Sequence, residues 1–319
     1  MTLVALAKNP VPGGATAGYF RGYDGKSLRF ARWSETRGPR RGTVCVLPGR
    51  GEFIEKYFEV VADLRRRGVC VAVLDLRGQG GSDRLLDNPM KGHIRNFRDY
   101  DRDLTSFMKD VVLPDCPPPY VALGHSLGGH ILLRHASQPG SWFQRLVLTA
   151  PMIEISGHRS SYSQATMRSY AEIFCKLGMS HAYVLGGSND PLDGATFENN
   201  IFTGDRDRFM RTVGVLEAAP QLALGAPTIG WLRAACRSMT VLQAPDYPSE
   251  IKVPILMVAA GQDKVVATTA IEEFALKLKV GSHVLIPPSR HEILVESDDI
   301  RARFWAAFDA YLGVSAVAA

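Results

Sequence analysis

The sequence predicts an α/β protein whose central sheet is mostly parallel, with an antiparallel hairpin near the N-terminus and an inserted helical segment. Short, almost entirely apolar runs recur along the chain and alternate with helical stretches. That pattern is typical of parallel strands covered by helices on both faces. Near the N-terminus an Asp-Gly pair joins two half-alternating runs, and between residues 151 and 250 the strand rhythm is interrupted.

The hairpin is the first element. Residues 18–33, GYFRGYDGKSLRFARW, carry Asp24-Gly25 between the two runs. Asp-Gly is a preferred central pair of the type I′ turn, which matches the twist of two antiparallel strands. We therefore expect the sheet to begin with an antiparallel pair joined by this turn.

The parallel part of the sheet is predicted by six apolar runs that follow the hairpin. Each run is three to six residues long, and helical stretches separate most of them. The runs are residues 44–47, 69–74, 120–123, 146–148, 255–259 and 283–286.

The segment from 151 to 250 lacks a convincing strand and has helical spacing, interrupted by Pro220 and Pro227. We predict a core made of residues 1–150 and 251–319 and a helical cap of residues 151–250, inserted between two strands.

Composition limits the possible classes of partner. The chain has 319 residues, 46% of them hydrophobic and 22% charged, as in an ordinary globular protein. Its net charge is +5, to which Arg37, Arg40, Arg41 and the run 65–67 contribute. These arginines fit either a solvated surface or attraction to anionic substrates and lipid headgroups. No nucleic-acid-binding motif is present, so no nucleic-acid partner is expected.

The cysteines and the apolar segments indicate the compartment. Five scattered cysteines without a CxxC motif argue against a disulfide scaffold and against a metal site. A reducing compartment follows, so we expect a cytoplasmic protein, with peripheral contact with the inner face of the membrane left open. The first apolar stretch is too short for a signal peptide, and no apolar run is long enough to span a bilayer. The sequence leaves the oligomeric state open.

The chemistry is sought where each predicted strand ends, since ligands of open α/β sheets bind outside the carboxyl ends of the strands. After the run at 120–123 comes Gly124-His125-Ser126-Leu127-Gly128, which fits the G-x-S-x-G nucleophile elbow. The helical run 130–135 follows, as the motif requires. The alternative is a tight turn that happens to contain a serine.

A serine hydroxyl needs a base that is held by a third group. Asp263 and His291 follow Ser126 in the order serine, acid, histidine, and each comes just after a strand. His291 is the histidine that follows the final strand. Asp75 is the rival acid, although its surroundings, DLRGQGGSD, suggest a role in shaping a loop. His125 neighbours the serine, so its side chain is expected to point elsewhere. The remaining histidines lie in loops or the cap, on the following helix or at the start of a strand; they are His93, His130, His135, His158, His181 and His283.

At this point the chain resembles serine hydrolases of the α/β-hydrolase fold, specifically the monoacylglycerol lipase and lysophospholipase group. The matching pieces are GRGEFIEKY (49–57), DLRGQGGSD (75–83), GHSLGG (124–129), GQDKVV (261–266) and SRHEILVE (289–296). The resemblance implies Ser126 as nucleophile, Asp263 as acid and His291 as base. It implies an oxyanion hole made by the backbone N–H groups of Leu127 and Arg50, no cofactor and no metal. It also implies that residues 151–250 cap an acyl-chain tunnel.

Two positions depart from the family pattern. Relatives usually carry His-Gly where this chain has Pro48-Gly49, and Arg-Gly-His-Gly where Gln79 stands in RGQG. The first departure touches the predicted oxyanion loop, and neither touches the triad.

The expected activity is hydrolysis of a single-acyl lipid, a lysophospholipid or a monoacylglycerol, through an acyl-enzyme. Apolar cap residues would contact the acyl chain, although they equally fit the core of the cap; the expected contacts are Phe202, Ile229, Trp231 and Leu232. The Arg50 side chain either meets a phosphate headgroup or faces solvent. An esterase, thioesterase or lactonase for smaller acyl substrates is the enzymatic alternative, and a hydrolase-fold binding protein is the non-enzymatic one.

Overall fold

The computed structural model describes residues 3–35, 41–156, 163–192 and 194–314. Arg37, Arg40 and His158, named above, lie outside the described residues. The described chain forms one eight-stranded sheet with the strand order β1-β2-β4-β3-β5-β6-β7-β8. The strands are β1 Ala15–Arg21, β2 Ser27–Trp33, β3 Thr43–Leu47, β4 Cys70–Leu74, β5 Tyr120–His125, β6 Phe143–Thr149, β7 Ile255–Ala260 and β8 Gly281–Ile286.

The sheet confirms the predicted architecture. β1 pairs with β2 and β2 with β4 in antiparallel fashion, whereas every pairing from β4 through β8 is parallel. All six apolar runs are strands of the parallel part. Because parallel strands end at one edge, the loops after β3, β4, β5, β7 and β8 meet there.

The hairpin turn differs from the expected type I′. Gly25 has φ of +82°, but Asp24 has no positive φ, and type I′ requires it at both central residues. The Gly25 N–H donates to the Gly22 oxygen and the Gly22 N–H to the Lys26 oxygen, at 2.9 and 2.8 Å. This is a longer loop, a type I turn followed by a left-handed glycine. Its Asp24 carboxylate pairs with Arg77 at 2.7 Å, so a tertiary contact favours the longer loop.

Helices cover both faces of the sheet. They are α1 Phe58–Arg66, α2 Arg98–Phe107, α3 Leu113–Asp115, α4 Leu127–Ala136, α5 Gln164–Lys176, α6 Arg206–Ala218, α7 Ile229–Leu242, α8 Tyr247–Glu250, α9 Thr268–Leu276 and α10 Asp298–Leu312. A π-helical turn, Met108–Val112, joins α2 to α3, and 3-10 turns lie at Ile54–Tyr57, Pro220–Leu222 and Ile293–Val295.

Residues 151–250, here called the insertion, contain α5, α6, α7 and α8 and lie between β6 and β7. Its described residues form no strand of the sheet. Each long helix has a side-chain N-cap, namely Ser163, Asp205 and Thr228, which accept a hydrogen bond from the third residue after them. Helix α6 ends just before Pro220 and α7 begins after Pro227, as the helix-breaking prolines predict.

Two apolar layers sandwich the sheet because successive side chains of a strand point to opposite faces. In β3, Val44 and Val46 pack with α1 and α10, whereas Cys45 and Leu47 pack on the opposite layer with α2, α4, α7 and α9. Helix α7 of the insertion is thus part of the main core.

Several features of the sequence resolve into structural roles. Arg67 of the basic run 65–67 stacks on Trp305 and pairs with Asp309 at 2.6 Å.

All five cysteines are free thiols, and four of them are buried. In the described part of the chain, no helix combines the length and the apolar character needed to cross a bilayer.

A buried arginine holds together two loops at the carboxyl edge. Arg29 of β2 is 2% exposed and pairs with Glu55 at 2.7 Å and with Asp75 at 2.6 Å. Asp75 also accepts hydrogen bonds from the N–H groups of Ile54 and Gly81, at 2.8 and 2.6 Å. Asp75 therefore shapes the loops after β3 and β4, which confirms the structural interpretation of its sequence context.

Asp75→Asn should lower the free energy of unfolding in urea by about 3 kcal/mol, because losing one member of a buried ion pair leaves its partner's charge uncompensated. Arg206→Met, which breaks the exposed Arg206–Glu198 pair, is the control and should leave stability unchanged within error. Equal effects of the two substitutions would show that the buried network does not stabilise these loops.

Candidate active site

Ser126 stands in a strained turn between β5 and α4. Its backbone has φ of +49° and ψ of −109°, a region that non-glycine residues rarely adopt. The Ser126 N–H donates to Thr149 O at 3.0 Å, and its carbonyl accepts from the N–H groups of His130 and Met152. Backbone hydrogen bonds on both sides therefore hold the strained conformation, as expected where strain serves a site.

The glycines around Ser126 are required by close backbone contacts. A Cβ at Gly128 would lie 2.0 Å from the Leu47 carbonyl oxygen at the end of β3. A Cβ at Gly124 would lie 2.8 Å from Gly129 N, and one at Gly129 would lie 2.9 Å from the Pro151 Cβ. Only glycine permits this packing, which brings the N-terminus of α4 against the loop after β3.

The predicted base and acid lie together. His291 Nδ1 is 2.7 Å from Asp263 Oδ2, and both side chains are buried. The Asp263 Oδ1 accepts from the N–H groups of Val265 and Val266, which fixes the carboxylate. Burial lowers the pKa of His291, but the Asp263 charge and its hydrogen bond, together with the charges of Glu292 and Glu52, outweigh burial and raise the pKa above 6.5. Burial raises the pKa of Asp263, but the contact with His291 and the hydrogen bonds from the Val265 and Val266 N–H groups together outweigh burial, so the pKa is lowered.

His125 differs from expectation, since the sequence argument has its side chain pointing away from the site. Its ring lies 4.8 Å from the His291 ring and lines the same cavity as Ser126. Its Nδ1 lies 3.1 Å from both oxygens of Thr149 on the neighbouring strand, which orients it. Burial lowers the pKa of His125 to about 4, so it stays neutral beside the predicted base.

The other described histidines have structural partners or lie elsewhere. His130 contacts Met152 O and Ser238 Oγ at 2.6 and 2.7 Å and joins α4 to α7. His93 contacts Thr228 Oγ1 at 2.8 Å, and His135 stacks on Trp142. The described residues contain no group of three or more His, Cys, Asp or Glu side chains suited to a metal ion.

The loop after β3, which carries the predicted oxyanion donor Arg50, is held by two buried polar side chains. Gln79 Nε2 donates to the carbonyls of Gly49 and Glu52 at 2.7 and 3.0 Å, and its Oε1 accepts from Gly51 N–H at 3.2 Å. The Glu52 carboxylate accepts from Gly49 N–H at 2.5 Å. From the sequence, only the Pro48 departure from the family pattern was expected to touch this loop. The departure at Gln79 touches it as well.

Lys56 joins this loop to the segment that carries the predicted base. Its Nζ lies 2.9 Å from Glu52 and 2.6 Å from Glu292, the residue after His291. Burial raises the pKa of Glu52, but the Lys56 charge, the neighbouring His125 and the hydrogen bonds from Tyr57 and Lys56 together outweigh burial, and the pKa falls to about 2. Sequence reasoning missed Glu52, Lys56 and Glu292 as site residues. The Glu-x-x-x-Lys spacing within GRGEFIEKY was the one available signal.

A cavity of about 290 Å³ opens over these groups and is lined by Ser126, His125 and His291. Arg50, Glu52, Lys56, Lys264 and Glu292 also line it. Most of its apolar wall comes from the insertion, through Ile155, Pro191, Leu192, Ile201, Phe202, Phe209, Leu216 and Leu224. The cavity thus combines a polar, hydrogen-bonding side with an apolar one.

The four expected acyl-chain contacts fall in different places. Phe202 lines the cavity. Ile229 and Trp231 are 1% and 5% exposed, and Leu232 packs against the main core. All three are described residues, and none of them lies on the cavity wall. The reason is that the apolar face of α7 is the face by which the helix packs onto the core.

The fold and the site define an α/β-hydrolase with a serine in the elbow position. The chain belongs to the Hydrolase_4 family, described as serine aminopeptidase, S33, whose sequence model matches residues 38–298. The resemblance to the monoacylglycerol lipase and lysophospholipase group is thereby confirmed, together with the fold.

Three relatives illustrate the match. Lysophospholipase L2 of Escherichia coli (strain K12) is 29% identical over 290 residues, which cover 89% of this chain and 83% of the relative. A soluble variant of monoglyceride lipase from Saccharomyces cerevisiae, solved with a substrate analog, superposes with a TM-score of 0.74 at 18% identity, covering 95% and 97% of the two chains. A carboxyl esterase from Bacillus coagulans superposes with a TM-score of 0.73 at 20% identity, covering 95% and 99%.

The geometry predicts a pH dependence. If His291 acts as a base it must be neutral, so kcat/KM should fall as the pH drops through its raised pKa, above 6.5. Asp263→Asn should lower kcat by about 10⁴-fold and move the acid limb to lower pH, since the charge that does most to raise the pKa of His291 is then lost. The measurement is the pH profile of ester hydrolysis. An acid limb unmoved by this substitution would contradict the pairing.

Proposed function

We propose that this chain is a serine-dependent carboxylic ester hydrolase that acts on single-acyl lipids through an acyl-enzyme. The observation that carries the proposal is the His291–Asp263 pair, 2.7 Å apart, beside the strained Ser126 on one cavity with an apolar wall. Ser126 is the proposed nucleophile, His291 the base and Asp263 the acid.

In the first half-reaction, the Ser126 hydroxyl oxygen attacks the ester carbonyl carbon while His291 Nε2 takes the hydroxyl proton. Asp263 accepts the hydrogen bond from Nδ1, which fixes the tautomer that leaves Nε2 able to accept. The tetrahedral intermediate then collapses, and His291 returns the proton to the departing alcohol oxygen. An acyl ester of Ser126 remains.

In the second half-reaction, water attacks the carbonyl carbon of the acyl-enzyme while His291 Nε2 takes a proton from the water. His291 then returns the proton to the Ser126 oxygen as its bond to the acyl group breaks, which releases the fatty acid. The oxyanion of both intermediates is proposed to accept hydrogen bonds from the N–H groups of Leu127 and Arg50. Leu127 opens α4, so the positive end of the helix dipole adds to its donor. Each such donor stabilises the transition state by about 3 kcal/mol.

The substrate class rests on the cavity wall and on the relatives. An apolar wall built by the insertion suits an acyl chain, which gains about 0.8 kcal/mol for each methylene removed from water. Of the three relatives named above, one is a lysophospholipase, one a monoglyceride lipase and one a carboxyl esterase. The first two names describe enzymes of single-acyl lipids. We propose that residues 151–250 serve as the cap over this chain.

Other functions fit less well. A peptidase, as the family description suggests, needs a group for the substrate's terminal amine, and the Glu52 and Glu292 carboxylates already pair with Lys56. Esterase, thioesterase or lactonase activity on smaller substrates uses the same triad but leaves the apolar wall without a role. A binding protein would not need the strained serine. The cytoplasmic location and membrane contact stay predictions.

Ser126→Ala should reduce hydrolysis of monoacylglycerol and lysophospholipid by about 10⁶-fold, because the nucleophile is lost. The measurement is release of free fatty acid by the two proteins at equal concentration, with matched circular dichroism as the folding control. Undiminished turnover in the variant would refute the assignment.

Phe202→Ala should weaken the dependence of kcat/KM on acyl length. For the unmodified protein, each added methylene should raise kcat/KM up to about fourfold until the cavity is filled. Phe174→Ala removes a half-buried phenyl ring of the insertion that is not on the cavity wall, so it serves as the matched control. The same slope in all three proteins would show that Phe202 does not contact the chain.

A further inference from the structure

The Arg50 side chain reaches from the loop after β3 into the insertion. Its Nη2 donates to the Gly225 carbonyl at 2.6 Å, and its guanidinium lies 5.4 Å from the centre of the Trp231 ring at the start of α7. One residue therefore supplies a proposed oxyanion N–H from its backbone and holds two parts of the insertion with its side chain.

The contact lies where the insertion crosses the core. Gly92 and Thr228 are joined by the Thr228 N–H to Gly92 O bond at 2.8 Å, and Gly92 N–H donates to Ala226 O at 3.1 Å. A Cβ at Gly92 would be 2.4 Å from the Arg50 Nη2, so the guanidinium occupies the space that the glycine leaves. The Gly225 N–H is also held, by Met90 O at 2.8 Å.

We propose that the Arg50 guanidinium is a positioning group that couples the oxyanion loop to the loop of residues 219–228, which joins α6 to α7. Its own bond to the Gly225 carbonyl then helps to set where the Arg50 N–H points. The inference rests on the proposed function. Gln79 and Glu52 hold Gly49, Gly51 and the Glu52 backbone from the core side, and the guanidinium holds Arg50 from the insertion side. Displacing a catalytic group by about 1 Å can cost about 100-fold in rate.

The structure offers a matched control in Arg84. Its Nη2 donates to Gln221 O and Ala223 O, both at 2.9 Å, and so holds the same 219–228 loop. Arg84 is not part of the oxyanion loop. Removing it removes arginine-to-carbonyl bonds of the same kind without touching the residue that carries the proposed donor.

The test compares Arg50→Met, Gly92→Ala and Arg84→Met with the unmodified protein on p-nitrophenyl acetate, a short uncharged ester. Arg50→Met keeps the backbone N–H of residue 50 and removes the guanidinium. Gly92→Ala keeps the arginine, but the added methyl group displaces the guanidinium from its present position. Both should lower kcat at least tenfold with KM within twofold. Arg84→Met should keep kcat within twofold. The inhibition constant of a boronic acid, which forms a tetrahedral serine adduct, should rise in parallel with the fall in kcat.

Each contrary result has a definite meaning. Unchanged kcat and boronate affinity in Arg50→Met would overturn the coupling. An equal loss of kcat in Arg50→Met and Arg84→Met would also overturn it, because it would indicate general loosening of the insertion. The same variants are also assayed on a lysophospholipid. A loss seen only as a raised KM for that substrate, with unchanged kcat on p-nitrophenyl acetate, would overturn the coupling in favour of a headgroup contact. If Arg50→Met does not fold, Gly92→Ala decides by the same criteria. Hydrolysis that survives Ser126→Ala would instead refute the proposed function.

Discussion

The site depends on the close approach of the N-terminus of α4 to the end of β3, where a Cβ at Gly128 would stand 2.0 Å from the Leu47 oxygen. This contact places Leu127, the first residue of α4, next to the loop that carries Arg50. The strained turn at Ser126 comes just before this contact, and its conformation is held by backbone hydrogen bonds to Thr149, His130 and Met152. The proposed nucleophile and both proposed oxyanion donors therefore lie around one backbone contact.

Buried polar side chains then fix the loops around that contact. Arg29 forms ion pairs with residues of the loops after β3 and β4, and Gln79 forms hydrogen bonds within the oxyanion loop. Lys56 pairs with Glu52 of the oxyanion loop and with Glu292, next to His291. Groups of this kind are costly to bury and specify one arrangement when all their bonds are made. The core side of the site is therefore rigid, whereas the acyl side is built by loops and helices of the insertion.

The sequence was sufficient for the fold because buried parallel strands and the elbow motif have strong local patterns. It also predicted the order of Ser126, Asp263 and His291, and the structure brings His291 and Asp263 within hydrogen-bonding distance. The sequence did not predict which face of α7 packs onto the core. Trp231 and Ile229 were therefore expected on the cavity wall, but they lie in the core. It also missed the contact of Gln79 with the oxyanion loop, because that side chain bonds to residues about thirty positions away. The assignment of catalytic roles stays a prediction.

The central claim is that the strained Ser126 is the nucleophile, and covalent labelling tests it most directly. The protein is treated with a fluorophosphonate, digested, and the modified residue is located by mass spectrometry. The account predicts one phosphonylated site, at Ser126 within GHSLGG, formed much more slowly in His291→Ala, because the serine then lacks its base. Labelling at another residue, or none in a protein that hydrolyses esters, would contradict it.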